Sequence, residues 1–190
     1  MIGLLGGSFD PVHNGHLIVG QVAAEALGLE TLRFVPAREQ PFKLGRHGAS
    51  AADRAAMLAL AVAGTPGLGI EPIELHRPGP SYTVDTLRAL RAREPGTELV
   101  LLLGADAAAD LPAWHEAAEI PRLARVVVFA RPGSAIPALP AITDTVRVPA
   151  IDISATGIRQ RVREGRSIKH WVPDPVAEYV LSHRLYLDPE

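Results

Sequence analysis

The chain has no cysteine. Disulfides, thiolate zinc sites, iron–sulfur clusters and a cysteine nucleophile are excluded together. Lysine is nearly absent as well: among 19 basic residues only Lys43 and Lys169 are lysines. A base-composition bias of the gene accounts for that, and it leaves two candidates for any chemistry that needs an ammonium. Neither sign of charge is in excess, with 19 basic against 21 acidic residues and a net charge of −2. Non-specific nucleic-acid binding needs a basic field, so no nucleic-acid partner is expected. A compact local anion site stays open. The longest wholly apolar run, Ala55–Gly64, is far short of the roughly 20 residues that span a bilayer, so no membrane partner is expected. No basic stretch precedes the first apolar residues and Asp10 arrives early, which predicts no secretory signal and a cytoplasmic location.

What is present is enough for a core. The 190 residues suit one domain spanning 1–190, with a helical part from about residue 152. Glycine and proline, 17 each, stay below the roughly 25–30 % combined share that signals disorder. Short apolar runs alternate with helical patterns. Strands are predicted at Gly3–Gly6, Leu32–Val35, Leu68–Glu71, Leu99–Leu103, Arg125–Ala130 and Val146–Pro149. Helices are predicted at Gly15–Leu27, Ala51–Ala63, Tyr82–Arg93, Thr156–Arg163 and Asp174–His183. Ser81 and Thr83 are candidate caps for the third of these, and Asp174 is placed to cap Pro175. The Pro/Ala-rich stretch Pro132–Pro140 reads as a surface loop. Strand and helix alternate, which predicts an α/β fold: a Rossmann-like, doubly wound, mostly parallel sheet with helices on both faces. Such sheets bind ligands beyond the carboxyl ends of their strands, where the strand order reverses.

The first strand runs into Gly6-Gly7-Ser8-Phe9-Asp10-Pro11-Val12-His13-Asn14-Gly15-His16. The glycine spacing is not that of the dinucleotide fingerprint. The physics is related: Gly6 and Gly7 let a ligand approach the backbone, and the following helix start directs N–H groups and partial positive charge at it. His13 and His16, three apart, can face one site and donate to phosphate oxygens. The plain alternatives are incidental surface histidines or a zinc site, the latter without thiolates or a His-Glu-x-x-His pair. A second helix start, Ile153-Ser154-Ala155-Thr156-Gly157-Ile158-Arg159, offers Ser154 as N-cap and Arg159 as a fork for phosphate. Taken alone it is equally an ordinary capped helix with surface arginines.

The first string resembles the G-x-F-D-P-x-H-x-G-H signature of a nucleotidyltransferase superfamily. Its members include adenylyltransferases of pyridine mononucleotides and of phosphopantetheine, and a glycerol-phosphate cytidylyltransferase. All fixed positions match: Gly7, Phe9, Asp10, Pro11, His13, Gly15 and His16. The second string resembles the superfamily's I-S-S-T-x-I-R motif, with Ala155 in place of a serine. The resemblance implies that both histidines contact the triphosphate of ATP or CTP, and that the second stabilises transition-state charge. It implies an ATP site drawing on Gly6, Gly7, Ser8, Phe9, His13, Gly15, His16, Gly104, Asp106, Ile153, Ser154, Thr156 and Arg159. It also implies Mg²⁺ bridging phosphate oxygens, with waters completing its shell and no protein metal site.

Three stretches bear on the acceptor. Gly79-Pro80-Ser81-Tyr82-Thr83 opens a helix whose N–H groups could hold a carboxylate. Asp106 follows the Leu99–Leu103 strand and could accept from ribose or a base. Trp114 offers a face for an aromatic ring. Singly, a core tryptophan and capping residues explain these features as well. Together they are similar to the bacterial nicotinate-mononucleotide adenylyltransferase branch, over about Gly3 to Leu187. That implies acceptor contacts from Ser8, Phe9, Lys43, Tyr82, Thr83, Trp114, His115 and Arg131, with Trp114 stacked on the nicotinate ring. It also implies catalytic roles for His13, His16, Lys43 and Arg159. The loop Pro36–Lys43 departs from the branch at Phe42, where a histidine is usual, and keeps Lys43. The implied reaction transfers AMP from ATP to nicotinate mononucleotide. The alternatives are phosphopantetheine adenylyltransferase, which the Ser-Tyr-Thr stretch and Trp114 disfavour, and a catalytically silent nucleotide-binding module, which the intact histidine pair disfavours.

Overall fold

In the computed structural model, which describes residues 1–39 and 48–187, six strands form one parallel sheet. They are β1 (Ile2–Gly7), β2 (Thr31–Pro36), β3 (Leu68–Ile70), β4 (Leu99–Gly104), β5 (Arg125–Ala130) and β6 (Ile142–Arg147). The order is β3-β2-β1-β4-β5-β6. It reverses direction between β1 and β4, which places a ligand crevice beyond the ends of these two strands.

The strands read as apolar runs because both faces are covered. Side chains alternate: Leu5, Phe34, Val100, Leu102 and Val127 face one core, while Leu4, Val35, Leu101, Leu103, Val126 and Val128 face the other. The first core packs against α1 (Asn14–Leu27), α2 (Ala51–Val62), α7 (Ala155–Arg163) and α8 (Asp174–Ser182). The second packs against α4 (Thr83–Arg93) and the short helices α5 (Ala105–Asp110) and α6 (Ile120–Leu123). One further short helix, α3 (Ile73–His76), follows β3.

The doubly wound α/β reading holds, with local corrections. The last strand is Ile142–Arg147, not Val146–Pro149. It is the sheet edge and buries only Val146 fully, so most of it lacks the apolar run that marks an inner strand. Neither Ser81 nor Thr83 caps α4; Tyr82 is the N-cap and lends no side chain. Asp174 is the first residue of α8, and the cap is Pro173. Ser154 does cap α7, its Oγ accepting from Gly157 N at 3.1 Å. The stretch 132–140 is a largely exposed loop. No helix among the described residues is long and apolar enough to cross a membrane.

Candidate active site

A cavity of about 760 Å³ opens at the reversal point. Gly6 and Gly7 end β1 on one side of it, and Gly104 and Asp106 continue β4 on the other. The two glycines serve different needs. A Cβ at Gly6 would meet nothing within 4 Å, so the backbone is open to a ligand. A Cβ at Gly7 would stand 3.0 Å from the Phe9 ring, so this glycine makes room for Phe9. Tyr82 and Thr83 at the start of α4, with Trp114 and His115, form the far wall. The Tyr82 and His115 rings pack at 4.4 Å between centroids. Trp114 is half-buried against the second core, which leaves part of its face to the cavity.

The histidine pair stands at the start of α1. His13 is the N-cap and is buried; its ring stacks on that of His16 at 3.7 Å and 22°. The backbone N–H of His13 donates to Nδ1 of His16 at 3.2 Å. That assigns the His16 proton to Nε2 and leaves Nε2–H as its donor. Burial lowers His13 to about 4, and burial with the neighbouring His13 lowers His16 to about 3, against an ordinary 6.5. The pair is therefore neutral at neutral pH and offers N–H donors. His13 Nδ1 is buried and makes no hydrogen bond. Gly15 leaves room beside it, since a Cβ there would lie 3.0 Å from that atom.

The second motif arrives alongside. A Cβ at Gly15 would also touch Ile151, so the lead into α7 abuts the start of α1. Arg159 Nη1 donates to the Asp10 carbonyl at 2.8 Å, and Nη2 lies 3.5 Å from Thr156 Oγ1. Residues 149 positions apart thus share one corner.

The expected site residues divide in consequence. Gly6, Gly7, Tyr82, Thr83, Gly104, Asp106, Trp114 and His115 line the cavity. His13, Gly15, His16, Thr156 and Arg159 gather in the adjoining corner, with Ser154 capping α7 and Ile153 packed against the first core. The Phe9 ring is buried and meets the edge of His16 at 5.0 Å, so it supports the histidine and has little surface left for a ligand. Ser8 presents its carbonyl to Arg54 at 2.7 Å. Arg131 follows β5, is exposed and is not among the residues lining the cavity. Lys43 lies outside the described residues.

Several groups at the site belong to no motif in the sequence. Arg54 is buried and ties the Ser8 and Arg38 carbonyls, joining the turns after β1 and β2. Its signal is its helical phase: it sits in register with Met57, Leu58 and Ala61 on the buried stripe of α2. Glu74 is buried, lines the cavity and accepts from Thr86 Oγ1 at 2.7 Å. Burial pushes its carboxyl up. Arg77 donates to the same hydroxyl and to the Tyr82 carbonyl, fixing the start of α4. Glu116, in a left-handed conformation (φ 47°), takes a two-pronged ion pair from Arg88 at 3.1 and 2.6 Å. This joins α4 to the turn that carries Trp114 and His115.

A glycine-rich strand end, a histidine pair at one helix start and an arginine motif at another thus meet around one crevice, an arrangement suited to a polyphosphate of the kind nucleotidyltransferases handle. In agreement, residues 4–161 match the family model described as cytidylyltransferase-like. Two relatives, each named a probable nicotinate-nucleotide adenylyltransferase, narrow the class. That of Roseiflexus sp. (strain RS-1) is 47 % identical over 195 residues, covering 97 % of each chain. That of Thermus thermophilus is 45 % identical over 185 residues, covering 97 % of this chain and 98 % of the relative. A solved structure of the Plasmodium falciparum nicotinic acid mononucleotide adenylyltransferase complexed with NaAD has the same fold. Its TM-score is 0.79 at 19 % identity, covering 97 % of this chain and 96 % of that one. The chain belongs to the cytidylyltransferase-like family and, within it, to the nicotinate-nucleotide adenylyltransferases.

Proposed function

We propose that the protein transfers AMP from ATP to nicotinate mononucleotide, releasing pyrophosphate and forming nicotinate adenine dinucleotide. The observation that carries this is the cavity between β1 and β4, walled by Trp114 and the start of α4 and adjoined by the His13–His16 pair. An oxygen of the acceptor's 5′-phosphate attacks the α-phosphorus of ATP. The bond from that phosphorus to the oxygen bridging it to the β-phosphate breaks, and pyrophosphate leaves with the electron pair. The acceptor is its own nucleophile, so no cysteine or serine is needed.

The protein's part is alignment and stabilisation of developing charge. His16 Nε2–H and the open backbone at Gly6 face the triphosphate, and Arg159 adds a fixed cation. A polyanion here favours protonation of the imidazoles, raising their low values while it stays bound. Trp114 stacks on the pyridine ring, and the N–H groups opening α4 receive its carboxylate. The expected contribution of Lys43 falls outside the described residues.

No group of three His, Asp or Glu among the described residues is disposed to hold a metal. The Asp10 carboxylate is taken up by Gly48 N, Ala49 N and Tyr186. This donor set fits a Mg²⁺ that enters on the substrate, as MgATP. There it would screen the triphosphate charge. A cytoplasmic location accompanies the reading, since ATP and pyridine mononucleotides are cytoplasmic metabolites.

Pyrophosphate release from MgATP, with nicotinate mononucleotide, nicotinamide mononucleotide and phosphopantetheine in parallel, tests the proposal. Release is expected to be fastest with the first. Faster release with phosphopantetheine would overturn the acceptor, and no release with any of them would make the chain a silent binding module.

A further inference from the structure

The residue furthest along the described chain to reach the site is Tyr186. Its ring is buried, and its hydroxyl donates to Asp10 Oδ1 at 2.7 Å. Burial beside the carboxylate pushes the phenol up, which keeps it a donor. Asp10 takes two more hydrogen bonds on its carboxylate, from Gly48 N at 2.7 Å and Ala49 N at 3.1 Å. Its backbone carbonyl accepts from the Arg159 guanidinium. A Cβ on Gly48 would stand 2.9 Å from the Tyr186 ring and 3.1 Å from Arg159 Cδ, so ring and guanidinium stem pack over one glycine. Four segments meet here: the turn after β1, the lead into α2, α7 and the stretch after α8.

The node also sits beside strain. Phe9 and Tyr186 have φ of 49° and 63°, a region that bulky residues hold only where their surroundings impose it. Phe9 is pinned on one side through Ser8 by Arg54 and on the other through Asp10. Its ring sets the edge against which His16 rests.

We propose that Tyr186 is a positioning residue for adenylyl transfer, acting through Asp10 on the Phe9–His16 turn and on Arg159. It touches no reacting atom. Its hydroxyl fixes Asp10, Asp10 holds Phe9 in its left-handed turn, and Phe9 holds His16. The same carboxylate anchors the 48–49 backbone. The inference rests on the reaction read above.

The test is Tyr186→Phe, which keeps the ring over Gly48 and removes the hydroxyl alone. Steady-state pyrophosphate release and the melting temperature are measured on wild type, Tyr186→Phe, Asp10→Asn and the double variant. For Tyr186→Phe, kcat is expected to fall about tenfold, as for a sub-ångström displacement of an aligned group. KM for nicotinate mononucleotide is expected to stay within about twofold, because the ring wall is built from other elements. In the Asp10→Asn background, losing the hydroxyl is expected to cost little more, since both changes cut one path. An unchanged kcat in Tyr186→Phe, whatever its melting temperature, would overturn the inference and leave the tyrosine a packing residue. Equal losses in kcat and acceptor affinity would overturn it too. Absence of turnover in the wild type would instead remove the reaction reading and this inference with it.

Discussion

On the side of β1, α1 and α7, buried polar groups are held by hydrogen bonds between segments far apart in the chain. Asp10 meets Gly48, Ala49, Arg159 and Tyr186; Arg54 meets Ser8 and Arg38. On the side of β4 and α4, a buried Glu74–Thr86–Arg77 network fixes the helix start, but the rim that carries Trp114 and His115 is held by ring packing and surface charge. Tyr82 packs on His115, and Arg88 pairs with Glu116, at side-chain exposures of 43 and 41 %. The difference matches the tasks proposed for the two sides. Phosphoryl transfer needs donors fixed to fractions of an ångström, and buried networks supply that. An acceptor must enter and a product must leave, and rings and exposed ion pairs part at small cost.

If the two sides divide the work in this way, substitutions should split kcat from KM according to side. The largest effect is expected for His16→Ala. Removing a donor aimed at developing charge should lower kcat about 10²–10³-fold while KM for the acceptor changes little. Near-normal turnover in steady-state assays would take His16 out of the chemistry. Next, Trp114→Ala should raise KM for nicotinate mononucleotide about tenfold, the scale of one aromatic stacking contact, with KM for ATP unmoved. A change in ATP affinity alone would mean the ring wall is misassigned. A smaller shift, about two- to threefold in acceptor KM, is expected for Arg88→Ala. It should shrink further at high salt, because the pair with Glu116 is exposed.

The smallest effect concerns pH. Because the pair is already neutral, it should contribute no inflection near 6.5 to kcat/KM. Stability should respond instead. Folded values of about 4 and 3 lie below the unfolded 6.5, so the unfolded chain binds more protons between them. The contribution is complete above 6.5 and is lost as pH falls through about 4 and then 3. Melting temperatures from pH 7 to 4 should fall in the wild type and fall less steeply in His13→Asn. An equal slope in both would remove the buried imidazole as the cause.

Much of the first side is legible in the sequence. The motif positions from Gly7 to His16 lie in one run, and their spacing on a strand–turn–helix already brings both rings to one helix start. The apolar runs of β1, β2, β4 and β5 are visible because two-sided burial leaves no polar face. The β6 edge lies several residues from its predicted place because solvent on its open side permits Thr143, Asp144 and Thr145. Arg131 is expected beside the acceptor only through the family resemblance; in the structure it is exposed after β5 and is not among the residues lining the cavity. In the sequence Asp10 is only a motif letter, because its partners lie 38, 39 and 176 positions away.

By itself the sequence determined the alternation of strand and helix, the glycine-histidine turn and the second arginine motif. These depend on periodicity and on backbone freedom within a few residues. The tertiary structure supplied the contacts by which the two motifs, already expected to serve one triphosphate, share a corner, and the burial that makes the histidines neutral. It also decided that the Phe9 ring is buried against His16, and that Tyr186 closes the network around Asp10. Burial and long-range pairing set these properties, and both arise only when segments distant in the chain are packed together.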